Sequence, residues 1–203
     1  ILSTRSASFA WGSAQLPSYW EGRKDRLYYQ VVRVVVSGIA GEASSILDVG
    51  SGGCPYLDWF DGIPKKTSID INDPYRAKDV KSILADFFVW QPDQTYDVVM
   101  CLQVLEHVPD AGRFAQKLLS VGRTVVVSVP YKWEAGRTPS HIHDPVDEAK
   151  MHAWFGRKPN FEYECREVAV AASRLIQVYE PFEESWEALN RRKRLLARAR
   201  EKA

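Results

Sequence analysis

The segment Ile46-Leu47-Asp48-Val49-Gly50-Ser51-Gly52-Gly53 joins an apolar run to a glycine-rich turn, and Pro55 follows where the first position of a helix would fall. Glycines in such a turn accept positive φ and let a ligand come close to the backbone. Nucleotides bind α/β sheets in the crevice beyond the carboxyl ends of parallel strands. A Gly-x-Gly turn alone serves equally as a plain strand-to-helix connection. A second feature sits in register with it: roughly 20 residues later, Ser68-Ile69-Asp70-Ile71 carries a carboxylate near the end of an apolar run, able to accept hydrogen bonds from both hydroxyls of a ribose. Together the two predict an adenosine-containing cofactor. Asp48 narrows the choice, because a dinucleotide-binding strand usually has an apolar residue two positions before its first glycine. Here a carboxylate stands at the strand tip, suited to a cationic amino group. Pro55 occupies the place of the third glycine of Gly-x-Gly-x-x-Gly, which leaves a pyrophosphate no evident seat.

These residues need a sheet to hold them, and the pattern around them supplies one. Apolar bursts of strand length fall at residues 45–49, 67–71, 83–85, 97–101 and 124–129, with helical patterns at 55–60 and 111–121. That rhythm predicts a parallel sheet with helices on its faces. Residues 161–168 and 174–179 are strand-like and joined only by the link 169–173, too short for a parallel crossover, so they predict an antiparallel pair. Residues 24–37 are read as a helix, although the β-branched run 31–36 also suits a strand. Residues 1–17 read as an irregular lead-in.

With these residues in place, the sequence resembles the class I methyltransferases that use S-adenosylmethionine, over about residues 46–129. The resemblance implies a single Rossmann-like α/β domain spanning 1–203. Its sheet would be mostly parallel and seven-stranded, with an antiparallel C-terminal hairpin strand and helices on both faces. Within it, 1–44 would be an N-terminal cap or helix segment, 45–180 the core and 181–203 a basic C-terminal helix. Asp48, Gly50, Ser51 and Gly52 would line the methionine and ribose end of the cofactor, and Asp70 with Ile71 would hold the ribose. Ala85-Asp86-Phe87 matches the family's adenine segment, with the Asp86 carboxylate near the adenine amino group and the Phe87 backbone near the ring. The family often has a further glycine where this chain has Cys54. Leu105-Glu106-His107-Val108 resembles the segment that follows the fourth strand in small-molecule methyltransferases, which implies that Cys101, Leu102, Gln103 and Val104 line the cofactor.

Methyl transfer from a sulfonium is an in-line displacement, accelerated by alignment and exclusion of water. A base contributes where the acceptor loses a proton, and histidine suits that task near neutral pH. His107, His141 and His143 are therefore the expected catalytic residues, as base and substrate anchor. Glu106 reads equally as a loop-fixing carboxylate or a substrate contact. The alternation His141-Ile142-His143 predicts both rings on one side of an extended segment. Asp144 is expected to cap, and Pro145 to open, a helix over 146–155 in which His152 packs.

A second resemblance is to the metal-assisted small-RNA methyltransferases that modify a terminal ribose 2′-hydroxyl, which carry Glu-x-x-Glu-His after the fourth strand and a His-rich segment after the fifth. Here Gln103 replaces the first acidic ligand and removes a charge, so no metal is expected. The expected function is methyl transfer to a small-molecule or saccharide-type acceptor at oxygen. Metal-assisted RNA ribose 2′-O-methylation and a nicotinamide-dependent oxidoreductase stand as alternatives.

The bulk composition agrees with one globular domain: 203 residues, 45% hydrophobic and 26% charged. A net charge of +1 argues against a globally basic nucleic-acid binder, although Arg191, Arg192, Lys193, Arg194, Arg198, Arg200 and Lys202 crowd the C-terminus. Cys54, Cys101 and Cys165 have no metal-type spacing and read as reduced thiols, and no apolar run reaches the roughly 20 residues of a membrane helix. A cytoplasmic enzyme is expected. Trp11, Tyr19, Trp20, Tyr28 and Tyr29 gather near the N-terminus, either as packing residues or as a wall for the acceptor.

Overall fold

Strands buried on both faces read as unbroken apolar runs, and β1 (Ser45–Val49) is buried at all its positions. In the computed structural model, which describes residues 19–168, 170–182 and 184–191, it lies inside a seven-stranded sheet. The others are β2 (Lys65–Asp70), β3 (Val80–Leu84), β4 (Tyr96–Leu102), β5 (Gly122–Tyr131), β6 (Phe161–Arg166) and β7 (Ser173–Tyr179). Their order is β3-β2-β1-β4-β5-β7-β6, and β7 alone runs against the rest. The lead-in 1–17 with Trp11, and the basic run from Arg192 onward, lie outside the described residues.

Alternation along the central strands feeds two cores. Leu47, Val99, Cys101, Val125 and Val127 face α2 (Ala111–Val121) and α3 (Glu148–Phe155), while Ile46, Val98, Met100 and Val126 face α1 (Leu27–Ile39). The β-branched run 31–36 is helical because Val32 and Val36, with Tyr28 and Tyr29, form one buried stripe at helical spacing. The N-terminus of α1 has no cap of its own. Glu167, 140 residues away, accepts from the Leu27 amide at 3.1 Å and the Tyr28 amide at 3.3 Å and serves instead.

Two local expectations are corrected. Residues 55–60 do not form an α-helix: Pro55 has φ −84° and ψ 44°, and a single 3₁₀ turn, Tyr56–Trp59, takes their place. α3 starts at Glu148 with Asp147 as its cap, whose carboxylate accepts from the Lys150 amide at 2.9 Å. Asp144 is engaged by His141 and takes no part in that cap. Among the N-terminal rings, Trp20 and Tyr29 pack with Tyr56 and Trp59 on the α1 face, away from the histidines.

Candidate active site

The carboxyl ends of β1 to β5 form one edge, and beyond the first four lies a cavity of ≈ 560 Å³ lined by Gly50, Asp70, Ile71, Asp86, Phe87, Gln103 and His107, among others. Gly50 has φ +77°, and a Cβ built on it would lie 2.4 Å from Val104 Cγ2, so the turn has room for glycine only. Gly52, at φ +52°, donates its amide to Asp70 Oδ2 at 2.9 Å. Asp70 Oδ1 accepts from Asn72 at 2.8 Å and Asp73 at 2.9 Å, which fixes the carboxylate and leaves Oδ2 a free lone pair for a hydroxyl donor. Asp86 is fixed likewise by the Phe88 amide at 2.8 Å, and Phe87 is packed on Phe114 at 4.9 Å.

Asp48 lies behind this wall, fully buried, with neither carboxylate oxygen partnered among the described residues. Burial first, and the charge of Asp70 second, push its carboxyl well above the ordinary range. A cationic amino group at the cavity would relieve that burden, so the residues fit S-adenosylmethionine. Ser51, Cys101 and Leu102 do not line this cavity directly. Ser51 Oγ joins the turn to Ser68 Oγ and the Tyr75 amide at 2.9 Å each, and Cys101 and Leu102 are buried in the two cores.

On the acceptor side His107 lines the cavity, and its Nδ1 lies 2.9 Å from the Ser140 carbonyl. A carbonyl only accepts, so Nδ1 carries a proton, and in the neutral ring Nε2 holds the lone pair. His141 Nδ1 is held by Asp144 Oδ2 at 2.8 Å, and the His141 ring meets His107 edge-on at 4.8 Å. Between them Glu106 is 1% exposed, and neither of its carboxylate oxygens has a partner on another described residue. Burial drives its carboxyl up to about 8; the Asp144 charge adds to this, while its own backbone and Arg174 oppose it. Glu106, His107 and His141 each offer a donor atom, all within 4.8 Å of one another.

His143 does not join them. The segment bends rather than extends: the Ile142 amide donates to the Glu106 carbonyl at 2.9 Å. His143 Nε2 is held by the Val108 carbonyl at 2.8 Å with its ring against Trp154. The expectation that both rings share a side is thereby corrected. Gln103 has φ 59°, its amide nitrogen donates to Ser128 Oγ at 3.2 Å, and its oxygen accepts from Arg174 Nε at 3.2 Å. Ser128, Arg174, Glu167 and Tyr28 form one buried network with it, which sequence reasoning missed because its members are scattered from residue 28 to residue 174 with no shared motif.

A family described as a methyltransferase domain matches residues 19–190. Among solved structures, the 1,6-didemethyltoxoflavin-N1-methyltransferase of Burkholderia thailandensis, with S-adenosylhomocysteine bound, is similar at TM-score 0.65 and 17% identity, over 79% of this chain and 82% of that one. The N-methyltransferase NodS of Bradyrhizobium japonicum WM9 is similar at TM-score 0.61 and 13% identity, over 75% and 85%. The magnesium protoporphyrin IX methyltransferase of Synechocystis PCC 6803, with S-adenosylmethionine bound, is similar at TM-score 0.56 and 17% identity, over 75% and 80%. At such identities these likenesses carry the fold alone, and no curated protein sequence matches the chain significantly. The family match overturns the nicotinamide-dependent alternative. Extending over so much of the chain, it makes this protein a member of the methyltransferase-domain family, an S-adenosylmethionine-dependent methyltransferase of class I.

Proposed function

We propose that the chain methylates a small-molecule acceptor at oxygen, with His107 Nε2 taking the acceptor's proton. The observation that carries this reading is the imidazole of His107 at the wall of the cofactor cavity, with its proton committed to the Ser140 carbonyl. When bound, S-adenosylmethionine supplies the electrophilic methyl group. Asp70 holds the ribose hydroxyls, Asp86 meets the adenine amino group, and Asp48 faces the methionine ammonium. His141, oriented by Asp144, packs against His107 and sets its ring angle. The neighbours named above methylate nitrogen in two cases, so the choice of oxygen rests on the histidine base alone. The three buried free thiols support a reducing, cytoplasmic setting.

A labelled-methyl screen over hydroxyl and amine acceptors tests the reading. His107→Ala is expected to lower turnover by about 10² to 10⁴ with S-adenosylhomocysteine affinity unchanged. Turnover that survives this substitution would remove the base.

The convergence of Glu106, His107 and His141 favours a second reading, in which the three hold a divalent cation that binds the acceptor oxygen. Gln103 stays outside that set, since its amide oxygen faces the Arg174 guanidinium, which repels a cation. Loss of activity in chelator, with recovery on adding divalent metal, would select this reading over the free base.

A further inference from the structure

Resting on the methyltransferase reading, we propose that a second cavity at the same sheet edge seats the acceptor and that it takes an acceptor bearing an anionic group, a carboxylate or a phosphate-type oxyanion. The cavity, ≈ 540 Å³, opens between the end of β5 and the β6–β7 turn. Its wall carries three cations, Lys132, Arg137 and Arg166, and one acid, Glu167. Glu167 is already spent: it is buried, pairs with Arg174 at 3.2 Å and accepts the Leu27 and Tyr28 amides.

The cations are less well matched. Lys132 is held by the Tyr131 hydroxyl at 2.5 Å and by Glu148 at 3.3 Å, whereas Arg166 reaches Glu164 only at 3.9 Å. No carboxylate pairs with Arg137 among the described residues. Its guanidinium lies over the Trp133 ring, 4.7 Å from the centroid, and among the described residues its two terminal nitrogens reach only the Ala171 carbonyl, at 3.5 Å each. Trp133 is pinned in turn by its indole N–H to the Ser173 carbonyl at 3.0 Å. A guanidinium stacked on a fixed ring, with most of its N–H groups uncommitted, is preorganised for two parallel hydrogen bonds to an oxyanion. Lys132 adds a backbone strain, φ 54° in a residue with a side chain, held by its amide to the Val146 carbonyl at 2.8 Å. Strain of this kind collects at ligand sites.

The position of this cavity connects it to the chemistry. Trp133 stacks on His141, with centroids 5.7 Å apart and planes at 25°, and His141 meets His107, which lines the cofactor cavity. One aromatic wall therefore separates the two cavities. An anion held at Arg137 anchors one end of an acceptor whose other end reaches past Trp133 and His141 towards His107. Cationic anchoring at a distance from the reacting atom supplies orientation without touching the transfer itself.

The test follows the Trp133 indole N–H in ¹⁵N spectra of the protein saturated with S-adenosylhomocysteine, the signal being assigned by Trp133→Phe. Benzoate, phenyl phosphate and uncharged benzamide are titrated as probes. We expect saturable shifts from at least one anion and none from benzamide, with the tighter of the two anions identifying the class. Arg137→Gln should weaken that anion at least tenfold and Arg166→Gln should weaken it less, both with S-adenosylhomocysteine affinity unchanged by calorimetry. The proposal is overturned if neither anion shifts the signal, if benzamide shifts it equally, or if both glutamine variants bind the anion as the parent does. Failure of the parent protein to bind S-adenosylhomocysteine would strike the methyltransferase reading instead.

Discussion

The two halves of the sheet edge are built by different means. On the β1–β2–β3 side, polar groups are satisfied by near neighbours in sequence or in the adjoining strand: Gly52 by Asp70, Asn72 and Asp73 by Asp70, Phe88 by Asp86. On the β4–β5–β7 side, the bonds span the chain, from Gln103 to Arg174, from His107 to Ser140 and from Glu167 back to Leu27. Each half keeps one buried carboxylate without a hydrogen-bond partner among the described residues, Asp48 in the first and Glu106 in the second. A buried unpaired acid is costly, and its retention in both halves is understandable if a bound cation or proton relieves it. The half proposed for the cofactor is thus a finished cradle around one gap, while the half proposed for the acceptor is an assembly of distant parts around another.

Breaking the cradle should have the largest effect. Gly50→Val meets Val104 at a Cβ distance of 2.4 Å and also places a β-branched residue at φ +77°. Binding of S-adenosylhomocysteine should fall below detection by calorimetry, and the thermal midpoint should drop. Gly52→Val is the informative control, because its Cβ meets nothing within 4 Å and only its φ of +52° is strained. Equal stability of the two variants would mean that Val104 yields freely and that the cradle is not close-packed.

The acceptor half can be probed through pH. Burial holds Glu106 protonated up to about 8 in the fold, whereas its ordinary value is 4.5. Between those limits the folded chain binds the extra proton. Its contribution to stability is therefore complete below about 4.5 and is lost as pH rises towards 8, with a slope approaching tenfold in the folding constant per pH unit. Glu106→Gln cannot titrate, so urea denaturation in chelator should show a flatter profile and a variant more stable than the parent at pH 8. An unchanged slope would mean that the fold does not hold Glu106 protonated. Asp48, displaced in the same direction, contributes to both proteins alike.

This division explains what was legible in the sequence. The order Asp48, Gly50, Asp70, Asp86 follows from strand ends that recur along the chain, and the structure brings Gly50, Asp70 and Asp86 to one cavity. The seven-stranded sheet and its reversed β7 follow from burst lengths, the shortness of the link 169–173 and the family resemblance. The pairing of His107 with His141 rather than His143 depends on the bend fixed by the Ile142 amide on the Glu106 carbonyl, a contact across 36 residues that no periodicity encodes. The Arg137 cavity was equally hidden, since its wall joins the β5 exit to the β6–β7 turn. Local bonds leave a pattern in sequence, and tertiary ones do not.

A moderate effect is expected at Asp70, where the local half can be tested without demolishing it. Asp70→Ala removes the proposed acceptor for ribose hydroxyls and also releases the Gly52, Asn72 and Asp73 amides. Cofactor affinity should weaken by about 1 to 3 kcal/mol, from loss of hydrogen bonds to a charged group. Asp70→Asn separates the two roles: it keeps an oxygen for the amides but loses the charge, so it should fall between parent and alanine. Calorimetry that finds Asp70→Ala unchanged would detach the ribose from β2.

The smallest effect distinguishes two aspartates that look alike in sequence. Asp144 and Asp147 both precede α3 and either could cap it, but Asp147 accepts from the Lys150 amide while Asp144 Oδ2 accepts from His141. Asp147→Ala should cost about 1 kcal/mol of stability, the usual value of an N-cap, and leave turnover nearly unchanged. Asp144→Ala leaves the cap intact and frees the His141 ring, so its loss should appear in turnover, with Asp144→Asn restoring part of it by keeping an acceptor for Nδ1–H. Asp144 Oδ1 is buried without a partner among the described residues, and removing the carboxylate also removes that burden, which limits any stability loss. Denaturation curves and turnover on the same four proteins, parent and three variants, decide the matter. If Asp144→Ala lost stability as Asp147→Ala does while turnover held, Asp144 would belong to the scaffold of α3 and His141 would have no orienting partner in the reaction.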